Sequence, residues 1–409
     1  MSKKYYICVT PFFPTPELFF GSYIYDQVKA IRSIGDYEVV VFKPAGSVTR
    51  LGDSYEFDGF KVHLFPTRNL PSNILMGCLD WYNSRSFMNA LSVSGIEPKD
   101  VVFVHCHTAS CAIYGKTIKS RYPFCKTIIQ YHDLDPIGIL NGRFSDSFWN
   151  LYYKANHTIK KIQTFDYHVS VSKRVEENLL CFPDVAERET YKPYISKLVK
   201  LQGKVKHPII KNSYVLYNGV DLTKFHKFDE CHKDRCFRIG CIGNYVAVKC
   251  HTILIDAVKI LVDKGYNDIV LSLVGNNPPG EFEIIKAYVA EKGLKGNVEF
   301  VPPFTHKELV KYYNTIDLFV LPSCFEGLGC VFTEAYACGV PFMSCFGQGI
   351  EDVIDSKERN LWLSPVNDAA RLACNIENYY HTRRQQKLQE PYDINVLITS
   401  FLKYLNNTK

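Results

Sequence analysis

Two rhythms of apolar residues alternate along this chain. Short, nearly unbroken runs such as Tyr5–Val9 and Asp317-Leu-Phe-Val-Leu321 read as strands buried on both faces. Segments with apolar residues three and four apart lie between them and read as helices with one buried face. In the first half this predicts strands at 5–10, 37–42, 60–65, 101–105, 126–131, 166–171 and 213–217, with helices at 22–34, 82–94, 108–120 and 146–164. In the second half it predicts strands near 237–242, 268–274, 297–301, 317–321 and 341–345, with helices near 251–264, 280–292, 306–314 and 330–338. Such strict alternation argues for parallel α/β layers, and the two halves read as two Rossmann-like domains. Ligands of such sheets bind beyond the carboxyl ends of the strands, so a site in a cleft between the halves is expected.

The most informative loop follows the 317–321 strand: Pro322-Ser-Cys-Phe-Glu326-Gly-Leu-Gly329-Cys-Val-Phe-Thr-Glu334-Ala-Tyr-Ala-Cys-Gly339-Val-Pro341. Val331, Phe332, Ala335 and Tyr336 recur at helical spacing, and Gly339 with Pro341 ends that helix. Glu326 therefore falls in the strand-to-helix loop, and Glu334 lies a little over two turns into the helix. A helix start of this kind suits phosphate or pyrophosphate. Two nearby carboxylates can hold hydroxyls, so the chemistry fits a sugar nucleotide. An ordinary βα unit with two surface glutamates is the plain alternative.

This segment resembles the E-x7-E motif of family 4 retaining glycosyltransferases, which have the GT-B fold of two Rossmann-like domains facing a cleft. Leu-Pro-Ser before Glu326, Gly-x-Gly after it and Cys-Gly-Val-Pro after Glu334 add to the likeness. The run Asn218-Gly-Val-Asp221 through Phe225 resembles the interdomain signature of the same group, and its Asn-Gly also signals a turn. The domains expected are residues 1–222 for the acceptor and 223–388 for the nucleotide-sugar donor. A C-terminal amphipathic helix within 389–409 carries Ile394, Val396, Leu397, Phe401, Leu402 and Leu405, and the resemblance implies that it crosses back to the first domain.

The resemblance also implies roles for individual residues. Glu334 would accept hydrogen bonds from the ribose hydroxyls, and Glu326 would lie near the transferred sugar. Backbone N–H groups of Leu328, Gly329 and Cys330 would meet the sugar and diphosphate. The segment from Phe237 to His251 resembles the family's Gly-Arg-x4-Lys-Gly stretch, with Gly243, Asn244, Lys249 and Cys250 at the four named positions. Lys249 would clamp the diphosphate, whereas Asn244 brings neither the charge nor the fork of an arginine. His132, ending the strand Ile128-Ile-Gln-Tyr-His132, corresponds to a histidine beside the sugar's reactive face, and His105 and His107 are secondary candidates. Gly21 stands in the family's glycine-rich turn, with Ser22 in place of a second glycine; a helix start capped by Ser22 competes with that reading. Asp133-Leu-Asp135 looks like a metal motif, but the group works without metal, so no cofactor is expected.

The implied reaction moves a sugar from a UDP- or GDP-sugar to a glycan or lipid-linked acceptor hydroxyl with retention, in building a surface polysaccharide or glycolipid. The alternatives are a GT-B protein with epimerase-like chemistry, against which the Asn-Gly-Val-Asp and E-x7-E pair argues, and one with lost chemistry, motivated by Asn244 and Cys250. The net charge of +6 is uneven: residues 1–222 hold 27 Lys and Arg against 20 Asp and Glu, and residues 223–409 hold 21 against 22. So small an excess is a poor match to nucleic acid. Aromatics at Phe144, Phe148, Trp149, Tyr152 and Tyr153 stand beside Lys154, Lys160 and Lys161, and a further basic stretch runs over 187–211. Either these face an anionic membrane, or they are a core stripe plus a solvated basic loop. The 15 cysteines, without a Cys-x-x-Cys pair, read as mostly buried free thiols of a cytoplasmic protein, with the inner membrane face as an option. No apolar run is long enough to span a bilayer, and the early prolines argue against a signal peptide.

Overall fold

The computed structural model describes residues 3–407 except 17–19, 47, 71–74, 76, 143–145, 230–235 and 277–279; Phe144 therefore lies outside the described residues. The chain divides into two compact units, residues 1–218 with 394–409, and residues 219–393.

Unit one is built on an eight-stranded sheet. Its strands are β1 (Tyr5–Val9), β2 (Glu38–Ala45), β3 (Ser54–Phe57), β4 (Phe60–Pro66), β5 (Val101–His107), β6 (Lys126–Tyr131), β7 (Tyr167–Ser170) and β8 (Ser213–Val215). They lie in the order β3-β4-β2-β1-β5-β6-β7-β8, all parallel except for the β3–β4 pair. Tyr6, Ile7, Cys8 and Val9 of the central β1 are fully buried, which is why a continuous apolar run marks this strand. The helices are α1 (Ser22–Ile34), α2 (Asp80–Val93), α3 (Ala112–Arg121), α4 (Phe148–Ile162), α5 (Lys173–Cys181) and α6 (Lys192–Leu201).

Unit two has a fully parallel six-stranded sheet of β9 (Phe237–Ile242), β10 (Ile269–Val274), β11 (Val298–Val301), β12 (Leu318–Val320), β13 (Phe342–Cys345) and β14 (Leu363–Ser364). Their order is β11-β10-β9-β12-β13-β14. Its helices are α7 (His251–Asp263), α8 (Glu281–Glu291), α9 (His306–Tyr313), α10 (Cys330–Ala337), α11 (Arg359–Trp362) and α12 (Ala369–Thr382). The last helix, α13 (Ile394–Asn407), returns to unit one, where it packs on α1 and stacks Tyr404 on Tyr214 at 4.6 Å.

Several elements depart from the sequence expectation. The edge hairpin β3–β4 went unread although Asp58-Gly59, both at positive φ, is a two-residue hairpin signal. The 187–211 stretch is not a basic loop throughout, because α6 occupies 192–201 and buries Tyr194, Leu198 and Leu201. Lys154 and Lys161 are buried rather than displayed, whereas Trp149 and Tyr153 are exposed. The last helix starts at Ile394, not 389, and Val396 lies on its exposed side while Ile398 takes a core place. Of the fourteen described cysteines only seven are buried; Cys78 and Cys374 are exposed. Among the described residues no helix is long and apolar enough to cross a membrane.

Candidate active site

The topology of unit two brings three loops side by side. β12 pairs with β9 on one side and β13 on the other, all parallel, so the chain leaves all three strands at the same edge. The β9 exit runs through Gly243, Asn244 and a short 3-10 turn, Ala247–Lys249, into α7. The β12 exit runs from Leu321 to Gly329 into α10, and the β13 exit carries Gly347-Gln348-Gly349.

These loops place Lys249 against Glu326, and the two form an ion pair, both mostly shielded from solvent. Gln348, almost fully buried, braces the pair: its Oε1 accepts the Glu326 N–H at 2.7 Å and its Nε2 donates to the Cys324 carbonyl at 3.2 Å. The Gly349 N–H donates to the Glu326 carbonyl at 3.0 Å. Sequence reasoning missed Gln348, since an isolated glutamine has no motif of its own. Gly243 lies under this site, where an added Cβ would touch the Lys249 stem at 3.5 Å. Gly275 is required there, because a Cβ on it would stand 2.2 Å from the Gly243 carbonyl oxygen. Asn244 is exposed and accepts a hydrogen bond from Asn276 Nδ2 at 3.2 Å.

Gly329 caps α10 with φ 80°, and a side chain there would meet the Phe332 ring at 2.8 Å. The Leu328 side chain is buried, so only its backbone can serve a ligand; Cys330 opens the helix, half-buried. Glu334 lies within α10. It is buried, and its Oε2 accepts the Tyr313 hydroxyl at 2.9 Å. Burial, then the Glu334 charge, push the Tyr313 phenol well above its usual range.

Unit one carries the other predicted residues. His132 follows β6 and lines a cavity of about 550 Å³ with Phe12, Tyr23, Asp80, Asp135, Lys154 and Lys161 among its walls. Its Nε2 lies 3.0 Å from His107 Nδ1, and the rings are stacked 5.2 Å apart. His107 in turn stacks on His105 at 4.2 Å, and His105 Nδ1 meets the Tyr6 hydroxyl at 2.7 Å. The three histidines are thus one column running from the core to the cavity. Gly21, not Ser22, caps α1; its φ is 82°, and a Cβ there would lie 2.6 Å from the Phe12 carbonyl oxygen. Asp135 accepts the N–H groups of Gly138 and Leu140 at 2.9 and 2.7 Å, so its carboxylate braces a loop. Lys161 pairs with Asp80 at 3.2 Å, and Lys154 donates to the Asn141 carbonyl at 2.7 Å. No local pattern signals that these two helix lysines line a cavity.

Burial sets the charge of the histidine column. It pushes His105 and His132 down to about 3, His168 to about 4, and His107 well below its usual value of 6.5. These rings are neutral in the fold and take up protons on unfolding below pH 6.5, so the unfolded state binds more protons there. Stability is therefore expected to fall as pH drops from 6.5 to 5, by up to about 1.4 kcal/mol per unit for each ring. Urea midpoints at the two pH values test this, and equal midpoints would mean that the rings protonate within the fold.

Comparison with known proteins finds glycosyltransferases. Residues 236–382 match the family model "Glycosyl transferases group 1". The chain is 24% identical over 292 residues to "Uncharacterized glycosyltransferase MJ1607" of Methanocaldococcus jannaschii, covering 68% of this chain and 65% of that protein. It is 29% identical over 147 residues to D-inositol 3-phosphate glycosyltransferase of a Mycobacterium species, covering 33% of this chain and 32% of that protein. Among solved structures, sucrose-phosphate synthase from Thermosynechococcus elongatus superposes with TM-score 0.72 at 15% identity, covering 99% of this chain and 98% of that one. Anabaena HepE in complex with UDP and glucose gives TM-score 0.64 at 15% identity over 99% of this chain and all of that chain. The likeness to the glycosyl transferases group 1 family thus lies over residues 236–382, and the two parallel-sheet units have the GT-B fold.

Proposed function

We propose that this protein is a retaining glycosyltransferase that moves a sugar from a nucleotide-sugar donor to a hydroxyl of a glycan or lipid-linked acceptor, in the building of a surface polysaccharide or glycolipid. The observation that carries this reading is the Lys249–Glu326 pair at the convergence of three strand ends, directly before the start of α10. A donor diphosphate entering here would draw the Lys249 ammonium toward itself and away from Glu326. The Glu326 carboxylate, held by Gln348, would then accept hydroxyls of the sugar. Backbone N–H groups at 328–330 and the axis of α10 would add positive potential for the leaving diphosphate. Catalysis is then mainly positioning and charge stabilisation, with acceptor attack on the face that the diphosphate leaves. In unit one, neutral His132 would face the reacting sugar, and Gly21 would let the backbone approach the ligand closely. UDP as the donor nucleotide draws support from the HepE complex with UDP and glucose, and no metal is assigned a part in this reading.

The test is a thermal-shift and turnover panel of UDP- and GDP-sugars on the wild type and Glu334→Gln. Glutamine keeps an acceptor for the Tyr313 hydroxyl, so the unliganded melting temperature is expected to stay within a few degrees, whereas alanine would strand that hydroxyl. Donor affinity is expected to fall about 10- to 100-fold, the loss of a charge-assisted hydrogen bond to ribose. A donor that stabilises both proteins equally places the ribose elsewhere. Stabilisation by a donor with no transfer or hydrolysis would favour a binding protein with lost chemistry, and an epimerised product would favour the epimerase-like reading.

A further inference from the structure

Strand geometry explains why three histidines line up at one end of the unit-one sheet. His105 and His107 stand two apart on β5 and so share one face of it. β6 runs parallel beside β5 with Gln130 opposite His107, and His132 stands two residues beyond Gln130. His107 Nδ1 and His132 Nε2 are 3.0 Å apart, so one of them donates to the other. The rings are also held from outside the pair. His107 stacks on His105 at 4.2 Å, His105 Nδ1 meets the Tyr6 hydroxyl at 2.7 Å, and the Tyr23 ring lies 5.0 Å from that of His132.

Each ring of the pair has one nitrogen left. His107 Nε2 and His132 Nδ1 are both buried and have no hydrogen-bond partner among the described residues. Burial keeps both rings neutral, with one N–H apiece, so two arrangements of protons remain. If His132 donated, the His107 proton would sit on Nε2, an orphan donor in the core, since His107 is fully buried. If His107 donates, the orphan donor is the Nδ1–H of His132, the ring that lines the cavity. Buried N–H groups without a partner are rare, and only the second arrangement puts the free N–H on a ring that a ligand oxygen can approach.

We propose that His107 is a positioning residue: it donates from Nδ1 to His132 Nε2 and so fixes His132 with its proton on Nδ1, as a hydrogen-bond donor to a ligand oxygen. The lone pair with which a neutral His132 could take up a proton is then on Nε2, and His107 occupies it. His132 is therefore not the base that removes the proton of the acceptor hydroxyl. This consequence rests on the transferase reading; the place of the proton does not.

The full-length protein is labelled with nitrogen-15 histidine, and long-range proton–nitrogen spectra read which ring nitrogen carries the proton. The two rings are assigned by the loss of their signals in His107→Asn and His132→Asn. Protonated Nδ1 is expected on both, with His132 Nε2 bare. A protonated Nε2 on His132, in a neutral or a charged ring, would overturn the assignment. Kinetics then test the role. His107→Phe keeps a ring on His105 but has no donor, whereas His107→Asn keeps an amide N–H near the place of Nδ1. His107→Phe is expected to show His132 in both tautomers and to lose about tenfold in kcat, the worth of one hydrogen bond, with KM for the sugar nucleotide within about threefold. His107→Asn is expected to recover most of that kcat. Equal losses in the two variants, or an unchanged kcat in His107→Phe, would overturn the positioning role. Should His107→Phe fail to fold, the wild-type spectra still decide where the proton sits, and a His132 free to exchange tautomers in the wild type would overturn the role as well. A wild type that turns over no sugar nucleotide defeats the transferase reading instead, and the spectra decide the proton's place without it.

Discussion

Lys249→Ala is expected to lower kcat/KM for sugar transfer about 10²- to 10³-fold, the loss seen when one preorganised charge-stabilising group is removed. The size follows from the composition of this loop. Between Gly243 and His251 the sequence has no other lysine or arginine, and Asn244 offers a dipole that already engages Asn276. The loss is expected mainly in kcat, since negative charge grows on the diphosphate as the sugar departs. Stability should fall by about 1–3 kcal/mol, since Glu326 is mostly shielded and loses a charge-assisted hydrogen bond. Lys249→Arg keeps the charge but not the shape and should recover part of the rate. Steady-state kinetics decide the matter, and a Lys249→Ala enzyme within threefold of wild type would remove this residue from the diphosphate site.

Arg174→Met is expected to produce the largest loss of stability. Arg174 lies on α5 and is fully buried, donating to Glu177 Oε2 at 2.9 Å and to Glu189 Oε2 at 3.3 Å. Glu189 is buried too, and also accepts Asn178 Nδ2 at 3.1 Å and the N–H groups of Thr190 and Tyr191 at 2.9 and 2.7 Å. Removing the guanidinium leaves a buried carboxylate without its counter-charge, at a cost of about 3–5 kcal/mol. For a unit of this size that corresponds to a drop of about 6–20 °C in melting temperature. Adding Glu189→Gln to Arg174→Met removes the stranded charge and should restore much of the loss. A calorimetric comparison of the two variants tests this, and equal melting temperatures would show that the charge pairing is not what stabilises α5.

Much of the fold was legible because each strand of a parallel sheet covered on both faces must be apolar throughout. Tyr5–Val9, Phe237–Ile242 and Leu318–Val320 announce themselves in this way. Exposed or short elements were harder. β3 is a four-residue edge strand whose burial pattern is mixed, and α5 reads as Lys-Arg-Val-Glu-Glu, a solvated helix, until Arg174 is seen to be buried. The bilayer reading of α4 is changed by the same kind of fact: Trp149 faces solvent, but Lys154 and Lys161 point inward to a cavity. Side-chain direction on a helix depends on what packs against it, and no local pattern records that.

The sequence by itself determined the alternation of strands and helices, the position of Glu326 in a loop and Glu334 in a helix, and the resemblance that names the family. Those are local properties, set by spacing, turn residues and the period of the apolar pattern. Only the tertiary structure decided that Lys249, 77 positions before Glu326, pairs with it, and that Gln348 braces the loop between them. It likewise joined His105, His107 and His132 into one neutral column. Contacts between distant segments are fixed by strand order, and strand order follows from how whole layers bury their faces rather than from any single stretch of the chain.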